Sequence, residues 1–436
     1  MITSMKTPVG LLGLLPLLFP GLLLLPRETE GLNIKETFCN VLNTEETFQH
    51  FIVPWDKGPK PKSQQEELDA YYAGPGTIPL TGIVMKNVTD AQLHDNELIL
   101  RHISYSALTY CSSESAAGMS GVVAGPKRLP LAMGTFEMTH NVTVDDLAYD
   151  VFVNTAQNYA ILAFRGTANV ANAKRDLDKE LVTPDPALYP GLSTSGSGDV
   201  GKAHKGFQES TQILQNGTLG YTHALQEVMA AHPGMEYIVT GHSLGGALAF
   251  TAGANLALTT QFTQLPAPRA VYTYGQPEVG QTTLANALAK AIGPSRVIRV
   301  VSSDDVVPHM LDNKGDGVRH AENVNETWMP DPMHWKVVEC QGSQDSNCSS
   351  SISCSDRSWD HHSWYGGFWA GRRFCTLSTV PEVNDQAENL DQPPSAQDPH
   401  ATKATSHADA SPNVPVLLEW GVVSLCSFAA LMYLGA

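Results

Sequence analysis

The chain is 436 residues long and carries 44 acidic against 27 lysine and arginine side chains, for a formal charge of −17. That length leaves room for one large domain or two ordinary ones around a packed core. The acidic balance, with no basic stripe to offset it, excludes a nucleic-acid partner, because phosphate binding needs a basic surface.

Residues 1–31 read as an address label. Lys6 precedes VGLLGLLPLLFPGLLLL, an apolar run broken by Pro16 and Pro20, and PRETEG then turns polar. This is the pattern of a secretory signal peptide ending at Gly31; an uncleaved membrane anchor is the alternative, disfavoured by the two prolines and the short run. Residues 32–97 carry Pro/Gly punctuation (DKGPKPKSQQ, AGPGTIP) and are expected to form an N-terminal extension.

From 98 to 378 strand-like and helix-like segments alternate. LAYDVFVNTAQNYAILAFRG predicts two strands joined by a turn around Ala156–Asn158. GFQESTQILQNGTLGYTHALQEVMAAH has helical spacing interrupted at Asn216-Gly217. YIVTG is a short buried strand, GGALAFTAGANLALTT a small-residue helix able to pack closely, and RAVYTYG and SRVIRVVS are further β runs. The alternation predicts an α/β fold, a mostly parallel central sheet flanked by helices in a single catalytic domain.

Residues 379–411 contain almost nothing apolar and are expected to be a disordered linker or stalk. Residues 412–436 end the sequence in an apolar tail, EWGVVSLCSFAALMYLGA, with no basic residue after it. With the small residues of HADASPNVP upstream, it reads as a glycolipid (GPI) anchor signal with attachment near Asp409, Ala410 or Ser411. A C-terminal transmembrane helix is the alternative, and the run is short for one. Seven cysteines agree with export; Cys426 would leave with the tail, so six remain to pair. Sequons at Asn87, Asn141, Asn216 and Asn325 fit a glycosylated surface, and one at Asn347 sits beside a cysteine that must also pair.

The chemistry is carried by YIVTGHSLGGALAF, residues 237–250. A strand running into a helix through Gly241-His242-Ser243-Leu244-Gly245-Gly246 is a nucleophile elbow, G-x-S-x-G. The tight turn tolerates few side chains, hence Gly241 and Gly245, and leaves Ser243 at its tip. The backbone N–H of Leu244, at the start of the helix, then faces the oxygen of a bound ester. A hydroxyl needs a base oriented by an acid, and in α/β-hydrolases the chain order is serine, acid, histidine. SSDDVVPHM supplies the acid and SWDHHSWYGGF the base.

The chain resembles the filamentous-fungal class 3 lipase family of lipases and feruloyl esterases. The matching pieces are YSALTYC (105–111), ILAFRGT (161–167), AHKGF (203–207), VTGHSLGGALA (239–249), TYGQPEVG (273–280), DVVPHM (305–310) and DHHSWYGG (360–367). The resemblance implies an α/β-hydrolase with Ser243 as nucleophile, Asp305 as acid and His361 as base, and with Thr167 and Leu244 in the oxyanion hole. Asp304 and His362, each adjacent to the favoured residue, are the rivals; His309 and His334 read as pocket or structural residues. The resemblance also implies a Cys111–Cys375 disulfide. Cys340 and Cys348 are then expected to close the loop CQGSQDSNC, leaving Cys39 for Cys354 by elimination. A zinc site around Cys354, His361, His362 and Cys375 is conceivable, but paired cysteines are the default in an oxidising compartment. No metal or organic cofactor is expected.

Two departures bear on substrate. Where the family's lid carries a tryptophan, ANVANAKRDLDKEL has Ala173 followed by Lys174, Arg175 and Asp176, so little apolar surface is offered to an oil–water interface. In TYGQPEVG, Glu278 stands where an arginine is expected. The expected function is a secreted or surface-anchored serine carboxylic-ester hydrolase, first a triacylglycerol lipase, with a feruloyl-type or phospholipid esterase behind it. Its partners would be the ester substrate and, through the tail, a membrane. An inactive surface-binding protein on the same fold is disfavoured by the intact Ser/Asp/His set.

Overall fold

The computed structural model describes Met85 and residues 88–120, 133–167, 180–192, 200–311, 317–332, 336–358, 361–366, 368–371 and 374–375. All belong to one unit, Met1–Pro393. The segments read from sequence as signal peptide, lid (168–179), stalk and apolar tail, and most of the N-terminal extension, lie outside the described residues, as do Asn87, Cys39 and Cys426.

The strands, in chain order, are β1 (Glu137–Val144), β2 (Leu147–Asn154), β3 (Tyr159–Phe164), β4 (Leu181–Val182), β5 (Ala203–His204), β6 (Glu236–His242), β7 (Ala270–Tyr274), β8 (Val297–Ser302), β9 (Glu326–Met329), β10 (Val338–Glu339), β11 (Trp364–Tyr365) and β12 (Phe368–Trp369). Eight form one sheet in the order β1-β2-β3-β6-β7-β8-β9-β10. Its centre, from β3 through β9, is parallel, and the outer pairings are antiparallel. The helices are α1 (Asn96–Leu108), α2 (Ser113–Gly118), α3 (Lys205–Gln215), α4 (Tyr221–Ala231), α5 (Leu244–Leu258), α6 (Thr260–Thr263) and α7 (Thr282–Ile292). The mostly parallel sheet flanked by helices matches the expectation from sequence.

Local chemistry explains the punctuation. Asp145 and Asp146 both take positive φ, 50° and 65°, between β1 and β2, as a two-residue hairpin turn requires. The β2–β3 turn falls where expected and closes on Asn158 at φ 58°, a residue that tolerates the left-handed region. The long helical pattern does break at Asn216, with α3 ending before it and α4 starting at Tyr221. Strand β1 goes beyond the expectation from sequence, because EMTHNVTV is polar and buries only Val142 at the sheet edge.

Successive residues of a strand point to opposite faces, and both faces of this sheet are buried. Ala160, Leu162 and Phe164 join a core with α3, α4, α5 and α7. Tyr159, Ile161 and Ala163 join a second core beneath α1, with Tyr272, Tyr274 and Ile298. That core begins before residue 98: Met85, Val88 and Leu93 are already buried in it.

Nearly every residue of α1 is buried, polar ones included. Glu97 and Arg101 pair at 2.7 Å one turn apart. His102 stacks on Tyr272 at 4.2 Å between centroids and donates from Nδ1 to the Leu98 carbonyl, 2.7 Å away. Burial pushes its pKa down to about 3, so the ring is neutral.

Two disulfides fall where expected, Cys111–Cys375 and Cys340–Cys348, with Cα atoms 5.3 and 6.1 Å apart. Cys354 is also disulfide-bonded, and its expected partner Cys39 lies outside the described residues. With Cys354 and Cys375 both oxidised, the zinc cluster considered above has no thiolates to offer. Asn141, Asn216 and Asn347 are exposed and Asn325 is half-buried.

Candidate active site

β6 delivers the chain to Ser243 at the carboxyl end of the parallel strands. Ser243 has φ 61° and ψ −129°, a strained conformation for a residue with a side chain, and its N–H donates to the Tyr274 carbonyl at 2.8 Å. Although it stands at the N-cap of α5, its side chain does not cap the helix. A cap residue normally has extended backbone that turns its oxygen onto the first turn; positive φ turns Ser243 away from that role.

The glycines are steric necessities. A Cβ on Gly241 would lie 1.9 Å from the Gly245 carbonyl oxygen, and one on Gly245 would lie 2.2 Å from the Phe164 oxygen. The second contact reflects how closely α5 approaches the end of β3. Phe164 is in register with Gly241, so the loop through Thr167 leaves the sheet beside the elbow. Thr167 is half-buried there, and Leu244 opens α5.

The acid follows β8. Asp305 is 1% exposed; Oδ1 accepts from the Val307 N–H at 2.9 Å, and Oδ2 accepts from His362 Nδ1 at 2.9 Å. Gly275, at φ 56°, makes room for this pair: a Cβ there would lie 2.7 Å from His362 Cε1 and 2.9 Å from Asp305 Oδ2. The expected pairing of Asp305 with His361 is corrected. His361 Nδ1 instead lies 2.5 Å from Asp304 Oδ1, in a half-exposed pair. The inner histidine side chain is 6% exposed and its aspartate 0%, whereas the outer two are 25% and 24% exposed.

His242, read from the sequence only as part of the elbow, braces the site. Its Nε2 donates to the His362 carbonyl at 2.9 Å, and its Nδ1 accepts from the Tyr110 hydroxyl at 3.0 Å. A carbonyl can only accept, so this tautomer is the one that satisfies both partners. Burial, then the neighbouring His362, holds the His242 pKa well below the usual range, keeping the ring neutral. Tyr110 lies in YSALTYC, but its spacing to the elbow gave no sign of this contact.

His309 and His320 are buried and neutral; burial depresses both, with Arg357 the next influence on His309 and Arg299 on His320. His320 donates from Nε2 to the Pro308 carbonyl at 2.8 Å. His334 lies outside the described residues. Glu278 is 2% exposed and accepts from the Leu311 N–H at 3.1 Å, so the unexpected acid ties the segment after β7 to the segment after β8.

A serine on a strand-to-helix elbow, at the head of a mostly parallel sheet that also carries a buried Asp–His pair, defines an α/β-hydrolase. The model of the class 3 lipase family matches residues 161–314 of the chain. The chain is 32% identical over 206 residues to a lipase of Rhizomucor miehei, covering 47% of this chain and 51% of that protein. It is 30% identical over 160 residues to a secreted mono- and diacylglycerol lipase of Fusarium solani, 37% of this chain and 41% of that one. The chain thus spans about half or less of these relatives' length. A solved triacylglycerol lipase, described as having a serine-protease triad as its catalytic centre, superposes with a TM-score of 0.51 at 26% identity, covering 66% of this chain and 98% of that one.

Proposed function

We propose that the chain is a serine carboxylic-ester hydrolase, a lipase that cleaves acylglycerol esters through an acyl-enzyme. The observation that carries this reading is the buried Asp305–His362 hydrogen bond beside the Ser243 elbow. With Nδ1–H donating to the carboxylate, the neutral imidazole keeps its lone pair on Nε2, where a serine proton can be taken. His362, not His361, is therefore the base.

Ser243 Oγ attacks the ester carbonyl as His362 takes its proton, and Asp305 stabilises the imidazolium. The N–H groups of Leu244 and Thr167 receive the oxyanion, each donor contributing roughly 3–4 kcal/mol in comparable sites. His362 returns the proton to the departing alcohol. Water, deprotonated by His362, then cleaves the acyl-enzyme and restores Ser243. The acylglycerol substrate is supported by the names of the relatives. Export is supported by the signal-peptide pattern and the disulfides, and a glycolipid tether by the tail. No helix among the described residues is long and apolar enough to cross a membrane.

The test follows hydrolysis of a short-chain triacylglycerol across its solubility limit, beside Ser243→Ala. Turnover that depends on Ser243 and rises when emulsion forms is the expected result. Smooth saturation below the limit would shift the reading to an esterase with an open cleft, in keeping with the charged lid sequence. No turnover of acylglycerol, aryl or phospholipid esters by folded protein would overturn it.

A further inference from the structure

The catalytic Asp–His pair has a twin. Asp304–His361 lies one residue upstream of Asp305–His362 at both members, with the same separation of 57 residues and the same Nδ1-to-carboxylate bond. The two loops also join through their backbones. The Ser358 N–H donates to the Asp304 carbonyl at 2.9 Å, and the Val306 N–H donates to the Ser358 carbonyl at 3.2 Å. After His362, the Ser302 hydroxyl donates to the Trp364 carbonyl at 2.5 Å. His362 therefore sits between two tethers to the acid loop, and the outer pair fastens the residue immediately before it.

We propose that Asp304 and His361 form a positioning pair, whose half-exposed hydrogen bond holds the loop carrying His362 in register with Asp305. The inference rests on the reading of Ser243, His362 and Asp305 as the catalytic set. A pair this exposed adds little to global stability, since solvent competes for both partners. Reaction rate is far more sensitive to placement, and a shift of about 1 Å costs roughly 100-fold. The effect therefore belongs in kcat, with little change in KM or melting temperature.

The experiment measures kcat and KM on a soluble short-chain ester, with thermal unfolding, for His361→Ala, His361→Gln, Asp304→Ala and His362→Ala beside Ser243→Ala. His361→Ala and Asp304→Ala are each expected to lower kcat about 10-fold with KM within about twofold. His361→Gln is expected to recover most of the loss, because its amide still donates to Asp304. Wild-type kcat in both alanine variants would reduce the pair to a surface contact and overturn the proposal. So would an equal loss in His361→Ala and His361→Gln, since the hydrogen bond would then not be the cause. If His361→Ala falls to the Ser243→Ala background while His362→Ala stays active, His361 is the base, and the reading of the site fails with it. Should His361→Ala not fold, Asp304→Ala carries the same decision.

Discussion

The two Asp–His pairs differ in one physical respect. Spacing, atoms and loops are shared, but the inner pair is packed against Gly275 and shielded from water, while the outer one is wet. A hydrogen bond to an ionised carboxylate gains strength where water is excluded, and it can also fix a tautomer there. In a half-exposed position the same bond competes with solvent. Burial thus turns one of two chemically identical pairs into a candidate catalytic pair and leaves the other a fastener.

The contrast breaks most sharply at the acids. Asp305→Asn is expected to lower kcat by about 10⁴-fold, because an amide no longer enforces the productive tautomer or stabilises the imidazolium. Asp304→Asn should cost less than about 10-fold, since its amide oxygen still accepts from His361. Steady-state kinetics of the two variants on one soluble ester checks this. Equal losses would show that burial does not divide the roles.

This is also where sequence legibility ended. The elbow was legible because a strand, a turn that admits only glycine at two positions, and a helix each leave a pattern. The candidate acid was legible from its place after SRVIRVV. In DHHSWYGG two histidines are adjacent, and motif register chose His361. The deciding facts are the space over Gly275 and the His242 bond to the His362 carbonyl, both long-range contacts that spacing does not encode. The polar packing under α1 was hidden likewise, since Glu97, Arg101 and His102 look like surface residues until Tyr272 and Gln157 are brought to them.

The disulfide that joins the end of α1 to the segment after His362 sharpens the comparison from another side. Cys111 and Cys375 are 264 residues apart, so their link restrains a very long loop in the unfolded chain. Replacing both by serine should lower stability by about 3–5 kcal/mol, measured by denaturant unfolding. Replacing Cys340 and Cys348, which are 8 residues apart, should cost less.

A buried carboxylate without a histidine behaves differently again. Asp150 is 2% exposed, and burial pushes its pKa up to about 7, against smaller opposing effects of the Asn141 amide and Arg165. The folded value lies above the unfolded value of about 3.9, so this contribution is fully present below about pH 4 and is lost as pH rises through 7. Its loss amounts to at most about 4 kcal/mol between these limits. Asp150→Asn should flatten that part of the stability–pH curve, gaining on wild type at pH 8 relative to pH 5 in urea melts. A parallel pair of curves would mean that Asp150 is ionised in the fold at both pH values.

The smallest expected effect tests what holds the inner histidine from behind. Tyr110 donates to His242 Nδ1, which leaves Nε2–H to donate to the His362 carbonyl. Tyr110→Phe keeps the ring but removes the donor, stranding a buried acceptor at a cost of about 1–3 kcal/mol. His242 can escape that cost only by moving its proton to Nδ1, and Nε2 would then face the His362 carbonyl as one acceptor against another. Turnover should fall several-fold with KM unchanged, in the same direction as His361→Ala but through the opposite side of the loop. Because the two tethers grip different parts of one short segment, the double variant Tyr110→Phe/His361→Ala should lose more than the product of the single losses. A double variant equal to that product would mean that the tethers act independently and that His362 is held chiefly by Asp305 itself.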